Sequence, residues 1–231
     1  MASFYFAYQV VSSLVTGDRR QALGAALAEV RLERAMGLFH ERAAQAWALH
    51  YPVVVKASDV FYATVPFMLP VVVLVWLWLR HPDRYRYWRN ALGWLSCVAL
   101  AVFVVDPVAP PRLLPGRFGF VDTLSVVGGA GPLDHLLLSR AGDAYAAMPS
   151  LHVAWAAWCA AAVVAVARSR LARMLVVAHP VVTAFVVVVT ANHLLLDAAG
   201  GLLALGAGMA LAQVPWARAG EAVARRAWAP G

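Results

Sequence analysis

Three short stretches of the chain combine polar residue types that can carry out phosphoryl transfer. Each lies at the edge of a strongly apolar segment, where a charged group costs about 2.5–3.5 kcal/mol at membrane depth and is therefore a functional hint. The stretches are 109–115 (APPRLLP), 148–153 (MPSLHV) and 190–197 (TANHLLLD). Together they supply two histidines, an aspartate, a serine and an arginine.

The third stretch places a histidine and a carboxylate four residues apart, His193 and Asp197. If a helix runs through both, their Cβ atoms lie about 5–6 Å apart on one face. The carboxylate can then accept a hydrogen bond from one imidazole nitrogen, which fixes the tautomer and leaves the other nitrogen free as a nucleophile.

The other two stretches supply groups that bind an anion. Ser150 is a candidate N-cap for the helix that contains His152, and backbone N–H groups at a helix N-terminus attract phosphate. The guanidinium of Arg112 is a planar fork that suits phosphate oxygens. Residue types and positions together predict phosphoryl transfer.

The composition is that of an all-α integral membrane protein. Of the 231 residues 62% are hydrophobic and 13% are charged, whereas soluble domains average about 45–50% and 25%. Two cysteines exclude a disulfide-stapled module. The net charge of +7 comes mainly from arginines in the short gaps between apolar segments, which favours the positive-inside rule over nucleic-acid binding.

About six transmembrane helices are expected to position these residues. A span needs roughly 20 mostly apolar residues, and the apolar segments are 57–79, 91–105, 151–167, 174–191 and 194–216, with a marginal first one at 3–15. Between them, residues 18–50 alternate charged and apolar residues at helical spacing. This pattern predicts an amphipathic helix, either interfacial or an ordinary solvated connector.

We expect a single domain over residues 1–231, with the first and interfacial helices in 1–50 and the catalytic bundle in 57–216. Arginine-rich connectors at 80–90 and 168–173 place those loops and both termini in the cytoplasm. All three polar stretches then meet at the extracytoplasmic face of a bacterial-type plasma membrane.

Two of these motifs carry a family resemblance. Pro149-Ser150-Leu151-His152, followed some forty residues later by His193-x-x-x-Asp197, resembles the type-2 phosphatidic acid phosphatase superfamily of membrane lipid phosphatases and phosphotransferases. The leucine in P-S-L-H looks like the branch that includes inositol phosphorylceramide synthases. The usual members also have six helices.

The resemblance implies a role for each matching residue. His193 would form a phosphohistidine, Asp197 would orient it, and His152 would act as general acid and then as base. Ser150 and Arg112 would hold the phosphoryl oxygens.

Asn192, next to the implied nucleophile, could donate a further hydrogen bond. The resemblance implies no metal or cofactor. The implied partners are a lipid phosphate substrate, an alcohol or inositol-type acceptor in the case of transfer, and the membrane lipids.

Two cations of the family signatures are absent. Val105 stands at the place of the lysine and Val187 at that of the second arginine. Either the substrate carries less charge, or a loop cation substitutes; the candidates are Arg42, Lys56, Arg117 and Arg140.

Three alternatives stay open. The chain could be a non-catalytic six-helix lipid-binding or transport protein, which the valines at 105 and 187 favour. Asp197 could be a helix cap with His193 as its buried partner. His152, His193 and Asp197 could also hold zinc, although the resemblance implies none.

The glycines of the last span are expected to allow close helix packing; they are Gly200, Gly201, Gly206 and Gly208.

Overall fold

The structure is a computed structural model, and it describes residues 18–123 and 145–215. These two ranges are all-helical, without a β-strand, so the predicted all-α membrane fold class is confirmed. Two 3-10 turns, Pro111–Leu113 and Gly116–Phe118, follow the fourth helix. The α-helices are α1 (Arg19–Ala35), α2 (Glu41–Leu49), α3 (Pro52–Arg80), α4 (Pro82–Val105), α5 (Leu151–Val166), α6 (Arg170–Val189) and α7 (Leu195–Leu211).

Three of the described helices, α3, α4 and α6, are long and apolar enough to cross a membrane. α5 and α7 are apolar but shorter, at 16 and 17 residues. α5 ends within one residue of the predicted segment, whereas α7 ends before the predicted limit of 216. The predicted first helix at 3–15 and residue 216 lie outside the described residues.

The sequence pattern indicated a loop for the arginine-rich stretch 80–90. In the structure this stretch is mostly helical. His81 alone separates α3 from α4, and Pro82 occupies the first turn of α4, where its missing N–H is tolerated. The helix therefore begins well before the apolar segment does. Apolar patterning marks where a helix meets lipid and not where its hydrogen bonding starts.

The single amphipathic helix predicted for 18–50 is two helices, α1 and α2. They are separated by a turn at Gly37, whose φ of 70° is a conformation that glycine adopts readily. The buried face of α1 carries Ala22, Ala26 and Val30, which pack with Leu194 and with residues between α4 and α5. α1 is therefore docked against the loops that hold the polar stretches.

α5 is the central helix of the bundle and packs against α3, α4, α6 and α7. Its two buried indoles have hydrogen-bond acceptors on α4: Trp155 Nε1 donates to Ser96 Oγ at 3.0 Å, and Trp158 Nε1 donates to the Trp88 carbonyl at 3.0 Å. These bonds satisfy polar groups that would be costly to bury alone. They fix the helix whose first turn contains His152.

α7 packs closely against α5 and α4 because glycines face both. A Cβ on Gly201 would lie 2.4 Å from the Ser150 carbonyl oxygen, and one on Gly208 would lie 2.6 Å from the Leu95 backbone nitrogen. At Gly206 nothing lies within 4 Å. The expected packing role therefore holds at Gly201 and Gly208, but not at Gly206.

The Gly208→Ala substitution is expected to destabilise the bundle by about 1–3 kcal/mol, since the new methyl group meets the backbone of α4 and overpacks the interface. Thermal unfolding in detergent measures the loss. Gly206→Ala is the matched control on the same helix and should leave the melting temperature unchanged or slightly raised. Equal destabilisation by both variants would contradict the close-packing role.

Candidate active site

The His193 and Asp197 side chains meet, although no helix runs through both. α6 ends at Val189, and the chain turns so that the N–H groups of Asn192 and His193 both donate to the Val187 carbonyl, at 3.0 and 3.1 Å. α7 begins only at Leu195. The two side chains, four residues apart, therefore come into contact across a turn between two helices.

The contact between this buried pair joins His193 Nδ1 and Asp197 Oδ2 at 3.3 Å. The same carboxylate oxygen accepts the Leu194 N–H at 2.8 Å and so caps the start of α7. Asp197 thus caps α7 and contacts His193 with the same oxygen. Because Nδ1 faces Asp197, Nε2 is the His193 nitrogen left for other chemistry.

His152 lies in the first turn of α5 and faces His193, with 5.7 Å between the ring centroids. Tyr62 stacks on its ring at 4.2 Å, and Phe67 meets it edge-on at 5.5 Å. Its Nε2 is buried and has no hydrogen-bond partner among the described residues. Aromatic walls therefore hold the ring while one nitrogen stays available.

Arg112 is held beside the pair by the turn that precedes His193. Its guanidinium donates to Asn192 Oδ1, and its backbone N–H donates to the Ala191 carbonyl at 3.0 Å. Asn192 Nδ2 in turn donates to Thr190 Oγ1 at 2.8 Å. Both ends of the Asn192 amide are thus engaged, so this side chain orients Arg112.

These groups line one small cavity. Arg112 is its one arginine or lysine within the described ranges, and Asn192, His152 and His193 also face it. The lining residues are Tyr62, Phe103, Pro110, Arg112, Ala146, Ala147, Leu151, His152, Asn192 and His193.

Three predicted site residues are not part of that lining, although one of them, Asp197, contacts His193. Ser150 is fully buried and caps α5, accepting the Val153 N–H at 3.4 Å. Lys56 is exposed on α3. The structure thus groups His152, Asn192, His193, Asp197 and Arg112, and leaves Lys56 apart.

The positions of the missing family cations are occupied by apolar side chains. Val187 is fully buried in a cluster with Tyr62, and Val105 is 79% exposed. Of the suggested substitutes, Arg42 and Arg117 are exposed and do not line the cavity, and Arg140 lies outside the described residues. Arg112 therefore supplies the positive charge of the described cavity.

Acidic residues of α1 and α2 reach the same region, which the sequence pattern did not indicate. Glu33 Oε1 accepts the Leu196 N–H at 2.8 Å, and Glu41 Oε1 accepts the Leu195 N–H at 3.0 Å. Burial foremost, with further contributions from Glu41 and Asp197, raises the pKa of Glu33 to about 8, against the lowering effect of the Leu196 N–H. These carboxyls therefore cap the first turn of α7 by accepting two of its N–H groups.

In the described part of the chain, no three His, Cys, Asp or Glu side chains converge as ligands for a metal ion.

A helical membrane protein with a cavity shared by two histidines and an arginine is the class that this fold and site define. The family model of the PAP2 superfamily matches residues 28–211, and the chain belongs to that superfamily. Its members are generally phosphatases or phosphotransferases, so membership suggests a membrane lipid phosphatase-like function. No curated protein and no solved structure gives a significant match.

Proposed function

We propose that the protein is an integral-membrane lipid phosphatase or phosphotransferase that works through a phosphohistidine on His193, without a metal. The observation that carries the proposal is the shared cavity, where His193, His152 and Arg112 meet although they come from three distant stretches of the chain. A nucleophile, an acid–base group and a fixed cation are the three components that this reaction needs.

In the first step, Nε2 of His193 attacks the phosphorus of the lipid phosphate. The N–P bond forms while the bond from phosphorus to the leaving oxygen breaks, and His152 donates its proton to that oxygen. Asp197 stabilises the positive charge that develops on His193, as a carboxylate does for a catalytic imidazole. Arg112 neutralises charge on the phosphoryl oxygens.

In the second step, His152 takes a proton from an incoming hydroxyl, whose oxygen attacks phosphorus as the N–P bond breaks. If the hydroxyl belongs to water, the enzyme is a phosphatase. If it belongs to an alcohol such as an inositol-type acceptor, the enzyme is a phosphotransferase, in keeping with the inositol phosphorylceramide synthase-like P-S-L-H motif.

The charge of the cavity favours one substrate class. One arginine balances one negative charge, whereas Val187 and Val105 replace the cations that would balance a second. A lipid phosphodiester carries one negative charge and fits this site better than a dianionic monoester does. We therefore place phosphodiester lipids first among the substrates.

The proposed setting is a single domain in a bacterial-type plasma membrane, with the site at the outer face and the termini in the cytoplasm. Support comes from the arginines of 80–90 and 168–173, which lie at the opposite ends of the spans from the cavity. Cysteine-accessibility labelling of these segments in intact cells tests the orientation.

The test of function is turnover by detergent-purified protein on labelled lipid phosphomonoesters and phosphodiesters, with and without alcohol acceptors. Released phosphate or headgroup indicates hydrolysis, and a new lipid that forms only with an acceptor indicates transfer. Both should vanish in His193→Ala. If the wild-type protein turns over none of these lipids, the result would favour the non-catalytic lipid-binding or transport alternative.

A further inference from the structure

Behind the His193–Asp197 pair lies a second set of acidic side chains, which α1 and α2 contribute. Among the described residues, four buried carboxyl oxygens in this set have no conventional hydrogen-bond donor. Asp197 itself is fully buried, so bulk solvent does not reach it. The atoms are Oε2 of Glu29, Oε2 of Glu33, Oε2 of Glu41 and Oδ1 of Asp197.

These four atoms belong to two carboxyl pairs. The Glu29 carboxyl is in hydrogen-bonding contact with Asp197, and Glu33 is in contact with Glu41. Two ionised carboxylates in buried contact repel each other, and neither has a proton to donate. One proton in each pair turns one member into a donor and satisfies the orphaned oxygens of both.

We propose that Glu29 is a positioning residue, whose protonated carboxyl donates a hydrogen bond to Oδ1 of Asp197 and thereby fixes the carboxylate that orients His193. Oδ2 of Asp197 is already held by His193 and by the Leu194 N–H. With Oδ1 held as well, the carboxylate cannot rotate away from the imidazole. The inference rests on the proposed function of the His193 site.

The surroundings of Glu29 favour its neutral form. Burial foremost, and then the negative charges of Asp197, Glu33 and Asp106, raise the pKa of Glu29 to about 9. The titratable groups that act on Glu29 are thus all carboxyls. Glu29 is therefore a neutral donor at lower pH, and above pH 9 it becomes a second anion that repels Asp197.

Two substitutions at one position separate the donor role from a packing role. Glu29→Gln keeps a donor in the amide and does not titrate, so we expect kcat within about threefold of the wild-type value and no loss of activity as the pH rises through 9. Glu29→Leu has no donor and should lower kcat by about 10–100-fold at unchanged KM, as loss of a supporting hydrogen bond does elsewhere.

Glu33→Gln, one turn away in the other carboxyl pair, is the matched control. It should keep an alkaline fall, displaced to lower pH because the charge of Glu33 no longer raises the pKa of Glu29. Equal activity of Glu29→Gln and Glu29→Leu, or an alkaline fall that persists in Glu29→Gln, would overturn the inference. If Glu29→Leu does not fold, the pH profile of Glu29→Gln still decides.

An infrared difference spectrum of wild type minus Glu29→Gln provides a readout independent of turnover. We expect a protonated-carboxyl C=O band that disappears as the pH rises through 9, and a spectrum without that band would contradict the inference. A wild-type protein inactive on every lipid phosphate would contradict the proposed function instead, while the band would still report the Glu29–Asp197 contact.

Discussion

Replacement of His193 by alanine is expected to lower kcat by about 10⁴-fold or more, because removal of a covalent nucleophile leaves only binding and electrostatic stabilisation. No phosphoenzyme should form. The measurement is turnover of the best lipid substrate, together with acid-labile incorporation of labelled phosphate or headgroup into the protein. The fold should survive, since the Leu194 N–H still provides a partner for Asp197 Oδ2.

His40→Ala is the control for this experiment. His40 is exposed, and its side chain makes no capping hydrogen bond at the start of α2, so this variant should turn over at the wild-type rate. A His193→Ala protein that melts like the wild type and keeps its activity would rule out the phosphohistidine route.

The residues at the centre of the site could be predicted because their types and positions stand out in the sequence. His152 and His193 are polar residues at the edges of apolar segments, and the order of the spans brings such edges to one end of a bundle. In the structure, helices occupy these segments and both histidines line one cavity with Arg112. Their catalytic roles remain predictions.

The acidic residues of α1 behind the site could not be predicted from the hydrophobic pattern of the sequence. Glu29 and Glu33 alternate with apolar residues along α1, which is also the pattern of a helix with a solvated face. Only the docking of α1 onto the start of α7 shows that Glu33 is fully buried. Long-range packing of this kind leaves no periodic trace in the sequence.

The turn before α7 shows how a correct contact can follow from an incorrect local structure. The four-residue spacing of His193 and Asp197 predicted a shared helical face, yet α6 ends at Val189 and Ala191 has a φ of 51°. The Asp197 cap on Leu194 brings the carboxylate back to the imidazole. The four-residue spacing therefore predicted the His193–Asp197 contact, and the capping hydrogen bond from the Leu194 N–H to Asp197 produces it.

The Asp197→Asn substitution is the second change with a large expected effect, because it removes a charge while preserving the shape of the turn. The amide oxygen can still accept the Leu194 N–H, so α7 should keep its cap and the protein its melting temperature. The neutral amide, however, cannot stabilise the positive charge that develops on His193 during phosphoryl transfer.

The corresponding change in the Asp–His pair of serine proteases costs about 10⁴-fold, and we expect kcat to fall by about 10³–10⁴-fold here, with phosphoenzyme formation slowed equally. Single-turnover labelling measures that step directly. An Asp197→Asn protein that labels at the wild-type rate would show that the carboxylate is a helix cap and no more.

A double variant connects this loss to the carboxyl behind the site. In the Asp197→Asn variant, an amide N–H would face Glu29 in place of Oδ1, and the ionised form of Glu29 could then accept a hydrogen bond from it. The contact that a protonated Glu29 provides in the wild type is therefore already lost. Glu29→Leu combined with Asp197→Asn should be no slower than Asp197→Asn alone, and additive losses would show that Glu29 acts by another route.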